Sequence, residues 1–483
     1  MDRDFRDFEA ALTRALGSLE GYLRDSRARA RPVVRLQPIQ DIAARLDLQR
    51  WIREGGLLQG PLEDFLDSYL DSTTRMHHPG YMAHQVAVPD LSGALGALVD
   101  SFTNNPMAIY EMGPAAVAME HVTVNWMLEK VGWKPSPWPG STEAGGRHGG
   151  GVLTHGGSLA NLTALAAARQ RVAPSAWQDG NPAKLAVFAS PHAHYAVHRA
   201  VGILGLGQRA VLPLETDERG AILPETLAGT YDAAVKDGWT PMALVANACS
   251  TSVGIFDPLR PIAAFCRRRD LWLHVDGAHG ASALLSPVTR PHLDGIEEAD
   301  SLVWDAHKLL RTPSLCAAVL MRDAVCLDNT FQQEASYLFH DKTQPGIDLI
   351  SRTVECTKAG LGLRLFFVLA SLGEQKLAAY VENTFAMAKK AYKLVCSRPG
   401  FHSPVEPQAN ILCLRYGDDD ALQLRVRDTL LQEGRFHVSS TEFLGNRYLR
   451  LVLMHPDTNE TLIGQLLDRI EELATAEEKT RIA

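Results

Sequence analysis

The segments LWLHVDGAH and SLVWDAHK carry the residue types best suited to covalent chemistry. Each starts as a short apolar run and ends on ionisable side chains, Asp276 in the first and His307 with Lys308 in the second. Taken singly, Asp276 is an ordinary turn residue and Lys308 an ordinary surface charge. At the ends of two buried strands of one sheet they become a pair. The lysine can form a Schiff base with an aldehyde, and the carboxylate can keep a pyridine nitrogen protonated. That is the chemistry of pyridoxal phosphate, whose protonated ring withdraws electrons from a bond to the substrate carbon.

Two further stretches fit the same chemistry. THGGSLAN runs into the helical pattern LTALAAARQ, so Gly156, Gly157 and Ser158 form a cradle where backbone N–H groups can approach a phosphate at a helix N-terminus. No Gly-Lys-Ser/Thr follows, so this is not a nucleotide-binding loop of the Walker type. Ser158 also suits a plain helix N-cap. SPHAHYAVHR follows the apolar run LAVFAS, and its His194 can stack on a flat ring. His194 and His198 are four residues apart, but the glutamate of a zinc-protease HExxH motif is missing, and no metal site is expected.

These residues need a scaffold that brings strand ends together. Apolar runs at Leu185–Ser190, Ala243–Ala248, Leu271–Val275, Ser301–Trp304 and Ala317–Met321 read as buried strands. Helical patterns such as Leu159–Arg171 and Pro261–Arg269 separate most of them. The alternation predicts an α/β domain with a mainly parallel sheet, in which ligands bind at the carboxyl ends of the strands. His194, Ser250, Asp276 and Lys308 all follow such runs. The expected organisation is an N-terminal helical segment over 1–75, a large cofactor-binding domain over 76–372 and a small α+β domain over 373–483. Pro135–Gly151, rich in proline and glycine, reads as an exposed surface insertion.

The composition narrows the function class. The chain has 483 residues and a net charge of −8, which gives no basic footprint for nucleic acid. No apolar run approaches the ~20 residues of a bilayer span, and MDRDFRDFEA lacks an apolar signal core. The seven cysteines are scattered and include no CxxC pair, so reduced thiols and a cytoplasmic location are expected.

In order along the chain, the motifs resemble those of the group II pyridoxal-phosphate-dependent decarboxylases of fold type I. That family includes glutamate, cysteine sulfinate, aromatic amino acid and 2,4-diaminobutyrate decarboxylases. HPGYMAHQ with NNPMAIYEMGPAAVAMEHV is similar to the substrate-side segment and first large-domain helix, HGGSLAN to the phosphate loop, and HAHYAVHRA to the ring-stacking segment. HVDGAHG resembles the HVDAA-type motif, DAHK stands where NPHK is usual, and YLRLVLMHP is similar to the segment that binds the substrate α-carboxylate. The resemblance implies that Lys308 carries the cofactor, Asp276 pairs with its ring nitrogen and His194 stacks on it. It implies that Gly157, Ser158 and His307 hold the phosphate with Ser250 and Thr251 nearby, and that Ala278 packs under the ring. Arg450 would hold the α-carboxylate, and His84 occupies the position that contacts the distal carboxylate in glutamate decarboxylases. A homodimer with active sites at the subunit interface is implied as well.

The expected reaction is α-decarboxylation of an L-amino acid, with glutamate, aspartate or cysteine sulfinate favoured because His84 and Gln85 can bond a polar side chain. One departure matters. The family's reprotonating tyrosine lies on a loop after the lysine, yet the matching stretch His340–Thr353 holds no tyrosine. Tyr337 matches a tyrosine before that loop, and His340 is a candidate proton donor in its place. An aldehyde-forming or transaminating outcome is therefore the alternative expectation.

Overall fold

The computed structural model describes residues 3–141, 146–331 and 346–482. They form two compact units, one of Met1–His84, Lys390–Ser403 and Leu412–Ala483, the other of Gln85–Lys389 with Pro404–Ile411.

The larger unit is built on a seven-stranded sheet. Its strands are β1 (Gly150–Thr154), β2 (Leu185–Ala189), β3 (Val211–Pro213), β4 (Thr240–Asn247), β5 (Trp272–Asp276), β6 (Ser301–Asp305) and β7 (Ala317–Met321), in the order β1-β7-β6-β5-β4-β2-β3. The pairs β3–β2, β2–β4, β4–β5 and β5–β6 are parallel, whereas β7 runs antiparallel to both β6 and β1. Every residue of β5 and β6 is buried, as expected for parallel strands covered on both faces. The helix Gly157–Val172 is buried without a break from Ala160 to Ala168. Its alanines remove side-chain bulk, and a helix buried all round takes the core rather than the surface. The sheet is therefore the mainly parallel one expected of fold type I.

Two strands of this sheet escaped the sequence reading. β3 is only three residues long. β1 begins in the last two residues of the stretch expected to be an exposed insertion, yet Gly150 and Gly151 are buried. Their glycines answer to packing rather than to a turn. A Cβ at Gly151 would stand 2.7 Å from the Val319 carbonyl oxygen, and one at Gly150 would stand 2.8 Å from the Ala324 Cβ. Glycine here permits β1 to pair with β7.

In the smaller unit the helices Arg3–Arg27 and Leu62–Ser72 and the closing helix Glu460–Ile482 accompany a four-stranded sheet. Its strands are β8 (Phe401–His402), β9 (Ile411–Tyr416), β10 (Ser439–Phe443) and β11 (Asn446–Val452), in the order β10-β11-β9-β8. Residues from both chain ends share this unit because they bond to each other. The Val33 N–H donates to the Gly434 carbonyl at 2.7 Å, the Met82 N–H to His437 at 2.9 Å, and Tyr81 forms a parallel bridge with His437.

Gly151→Val is expected to destabilise the protein by about 1–3 kcal/mol, because the new side chain meets β7 backbone. The shift of the urea unfolding midpoint measures it.

Candidate active site

The carboxyl ends of neighbouring strands bring the predicted residues to one sheet edge. Asp276 ends β5, Lys308 follows β6, Ser250 follows β4, and His194 follows β2 as the N-cap of the helix Tyr195–Ile203. This convergence follows from the parallel order β6-β5-β4-β2.

Asp276 is buried and held from two sides. Its Oδ1 accepts the Ala278 N–H at 3.2 Å, and its Oδ2 accepts from Asn161 Nδ2 at 3.3 Å. The same Nδ2 donates to the Gly157 carbonyl at 2.9 Å, which ties the carboxylate to the first turn of the Gly157–Val172 helix. Behind Asn161 the bonding continues. Asn161 Oδ1 lies 2.9 Å from His274 Nε2, His274 Nδ1 lies 2.8 Å from Ser301 Oγ, and Trp272 Nε1 donates to that Oγ at 2.8 Å. One proton arrangement satisfies every group. Trp272 donates to Ser301, Ser301 to His274, His274 to Asn161, and Asn161 to Asp276. Burial pushes His274 from 6.5 down to about 4, so the imidazole is neutral, as this arrangement requires.

At the other end of the site, Gly156 occupies the N-cap of the helix Gly157–Val172 with φ 108°, and no side chain caps the helix. Ser158 is thus not the cap but the second helical residue, and first-turn N–H groups have no partner within a helix. That end suits an anion. His307 is buried, with Nδ1 2.8 Å from the Cys316 carbonyl. Lys308 Nζ lies 3.2 Å from Asp305 Oδ2, and the Asp305 N–H donates to the Ala278 carbonyl at 3.0 Å. His194 Nδ1 accepts the Ala196 N–H at 3.2 Å. Burial holds its imidazole below the usual range, while Asp276 and Asp305 pull upward and Lys308 pushes down. Ser250 is buried, and its Oγ accepts the Ile255 N–H at 3.1 Å, which leaves its hydroxyl proton to donate elsewhere. Thr251, beside it, is half-buried.

The smaller unit holds the remaining two predicted residues. Arg450, on β11, is buried and its Nη1 donates to the Ala83 carbonyl at 3.2 Å. His84 keeps a solvent-facing edge, while the protein behind it and the Arg450 charge lower its pKa. His437 joins them unannounced by the sequence reading. Its ring centroid lies 5.8 Å from that of His84 and 5.5 Å from that of Tyr81, both edge-on, and burial pushes it down to about 4.

His340 and Tyr337 fall outside the described residues. The sequence reading also missed Asn161, His274, Ser301 and Asp305. Two of them carried a signal. His274 is two residues before Asp276 and shares its strand face, and Asn161 is four after Gly157 on the same helix face.

The His274 contribution depends on pH. Unfolded, the imidazole takes up a proton near 6.5; folded, it resists until about 4. Its contribution is complete above 6.5 and is lost as pH falls toward 4. The unfolding free-energy difference between wild type and His274→Phe is expected to shrink by up to about 3 kcal/mol from pH 7 to pH 4, as read by denaturation at each pH.

Residues 59–417 match the model of the pyridoxal-dependent decarboxylase conserved domain. The chain is 31% identical over 379 residues to human cysteine sulfinic acid decarboxylase, a match covering 77% of this chain and 74% of that protein. It is 28% identical over 458 residues to the acidic amino acid decarboxylase GADL1 of Mus musculus, covering 90% of this chain and 80% of the relative. The crystal structure of mouse CSAD matches with a TM-score of 0.86 at 26% identity, over 97% of this chain and 98% of that one. With Lys308 and Asp276 at adjoining strand ends, the chain belongs to the pyridoxal-dependent decarboxylase family, a group of fold type I lyases that decarboxylate amino acids with pyridoxal phosphate.

Proposed function

We propose that the enzyme removes the α-carboxyl group of a small acidic L-amino acid (aspartate, glutamate or cysteine sulfinate) and releases CO₂ and the amine. The observation that carries the acidic preference is the grouping of Arg450, His84 and His437 in the smaller unit. A guanidinium binds a carboxylate, and two imidazoles beside it gain charge when a second acid group approaches. The names of the relatives, cysteine sulfinic acid decarboxylase and acidic amino acid decarboxylase, support the same reading.

The residues at the strand ends fit the cofactor. The uncapped helix end at Gly157 and Ser158, with His307, supplies donors for its phosphate. Lys308 would supply the amine for its aldehyde, and Asp276 would hold a proton on its ring nitrogen. His194 would cover one face of the ring and Ala278 would pack under the other, with Ser250 and Thr251 available to the phosphate. Bound there, pyridoxal phosphate supplies an electron sink for the pair left when the Cα–carboxylate bond breaks. Arg450 orients the substrate through its α-carboxylate, and His84 with His437 meets the distal acid.

The enzyme is proposed to act as a homodimer in the cytoplasm, with active sites at the subunit interface. Leu91, Leu95, Leu98 and Phe102 all leave apolar surface exposed along one face of the helix Leu91–Thr103, as a covered interface would. Among the described residues, no helix is long and apolar enough to cross a membrane. Sedimentation is expected to give twice the 52.8 kDa chain mass, and a monomer at micromolar concentration would end that part of the proposal.

Holoenzyme supplied with each common L-amino acid and cysteine sulfinate is expected to yield equal CO₂ and amine from an acidic one, without oxygen uptake. Lys308→Ala abolishes turnover, and Arg450→Met raises KM about 30-fold or more. Aldehyde with oxygen uptake, or turnover restricted to aromatic substrates, would overturn the proposal.

A further inference from the structure

Asp305 ends β6 and is 2% exposed. Its Oδ2 lies 3.2 Å from Lys308 Nζ and 3.7 Å from His307 Nε2. Its Oδ1 is buried and has no hydrogen-bond partner among the described residues. A Cβ at Gly157 would stand 2.8 Å from both carboxylate oxygens, so the carboxylate packs directly against the first residue of the Gly157–Val172 helix. An acidic side chain therefore lies among the groups proposed to hold the phosphate: the helix end, His307 and, next to them, Lys308.

A buried carboxylate with an unpartnered oxygen is unfavourable unless nearby positive charge offsets it. The helix N-terminus and the Lys308 ammonium provide that charge here. The phosphate of the cofactor, itself an anion, draws on the same helix end. Two anions at one cradle repel, and the low local dielectric strengthens that repulsion. The segment DAHK thus places a negative charge where the NPHK motif it resembles has a neutral asparagine.

We infer that Asp305 is the residue that sets cofactor affinity in this enzyme. Its carboxylate competes with the 5′-phosphate for the helix N-terminus, and it keeps the phosphate's contribution to binding small. This rests on the proposed reading of Gly157 and Ser158 as the phosphate cradle. Asparagine at 305 keeps the shape, removes the charge and adds an N–H donor.

The test titrates the full-length apoenzyme with pyridoxal phosphate and, separately, with pyridoxal, which lacks the phosphate. Bound cofactor is read from its visible absorbance and by equilibrium dialysis. Any effect of the substitution on Lys308 itself alters both ligands alike, so the ratio of the two affinities isolates the phosphate. Asp305→Asn is expected to raise the preference for pyridoxal phosphate over pyridoxal at least about tenfold. An unchanged or lowered ratio would overturn the inference. The unaltered protein gives a second reading that needs no variant: its own preference is expected to stay below about a hundredfold, and a larger one would also overturn it. Ser158→Ala separates the two readings. If it weakens pyridoxal phosphate but not pyridoxal, the cradle stands and the Asp305 result decides alone. If it weakens neither, the cradle reading falls and the inference falls with it.

Discussion

The carboxylate of Asp276 terminates a hydrogen-bond chain that starts at Trp272 and passes through Ser301, His274 and Asn161. Hydrogen bonds to both oxygens offset the cost of burying this carboxylate, and the chain behind Asn161 aims one of the two donors. The chain also spans β5, β6 and the helix Gly157–Val172, so it sets more than one charge. Asn161 bonds both Asp276 and the Gly157 carbonyl, which fixes the carboxylate relative to the first turn of the helix. His274 can serve only while neutral, because a second donor at Nδ1 would displace the Ser301 hydroxyl proton. Burial enforces that state.

The same sheet edge carries charges with opposite duties. Asp276 has its hydrogen bonds supplied by the scaffold. Asp305, one strand away, has one oxygen on Lys308 and the other without a hydrogen-bond partner among the described residues. The first is a completed polar network, and the second is an incomplete one that a ligand can disturb. In the smaller unit the balance is reversed. Arg450 is buried with its guanidinium on the Ala83 carbonyl, and the imidazoles of His84 and His437 are both held below their ordinary pKa.

Apolar runs followed by polar residues were enough to place β2, β4, β5, β6 and β7 within a few residues, since a fully buried strand must be apolar along its whole length. They also placed Asp276, Lys308, His194 and Ser250 at strand ends. Gly150 and Gly151 misled, because a glycine chosen for close strand approach looks the same in sequence as one chosen for a turn. The expected separation of the N-terminal segment from the C-terminal residues did not reveal that both belong to one unit, since the bonds joining Val33 to Gly434 and Met82 to His437 cross most of the chain.

The sequence by itself determined the cofactor chemistry, the strand ends that bear it and the family, because those depend on residue type and on local apolar periodicity. Only the tertiary structure decided which partners tune those residues. Asn161 reaches Asp276, Asp305 turns toward Gly157, and His437 meets His84, each through contacts between segments far apart in the chain. Such contacts leave no local pattern, since hydrogen bonds and charge interactions depend on distance in space and not on spacing along the chain.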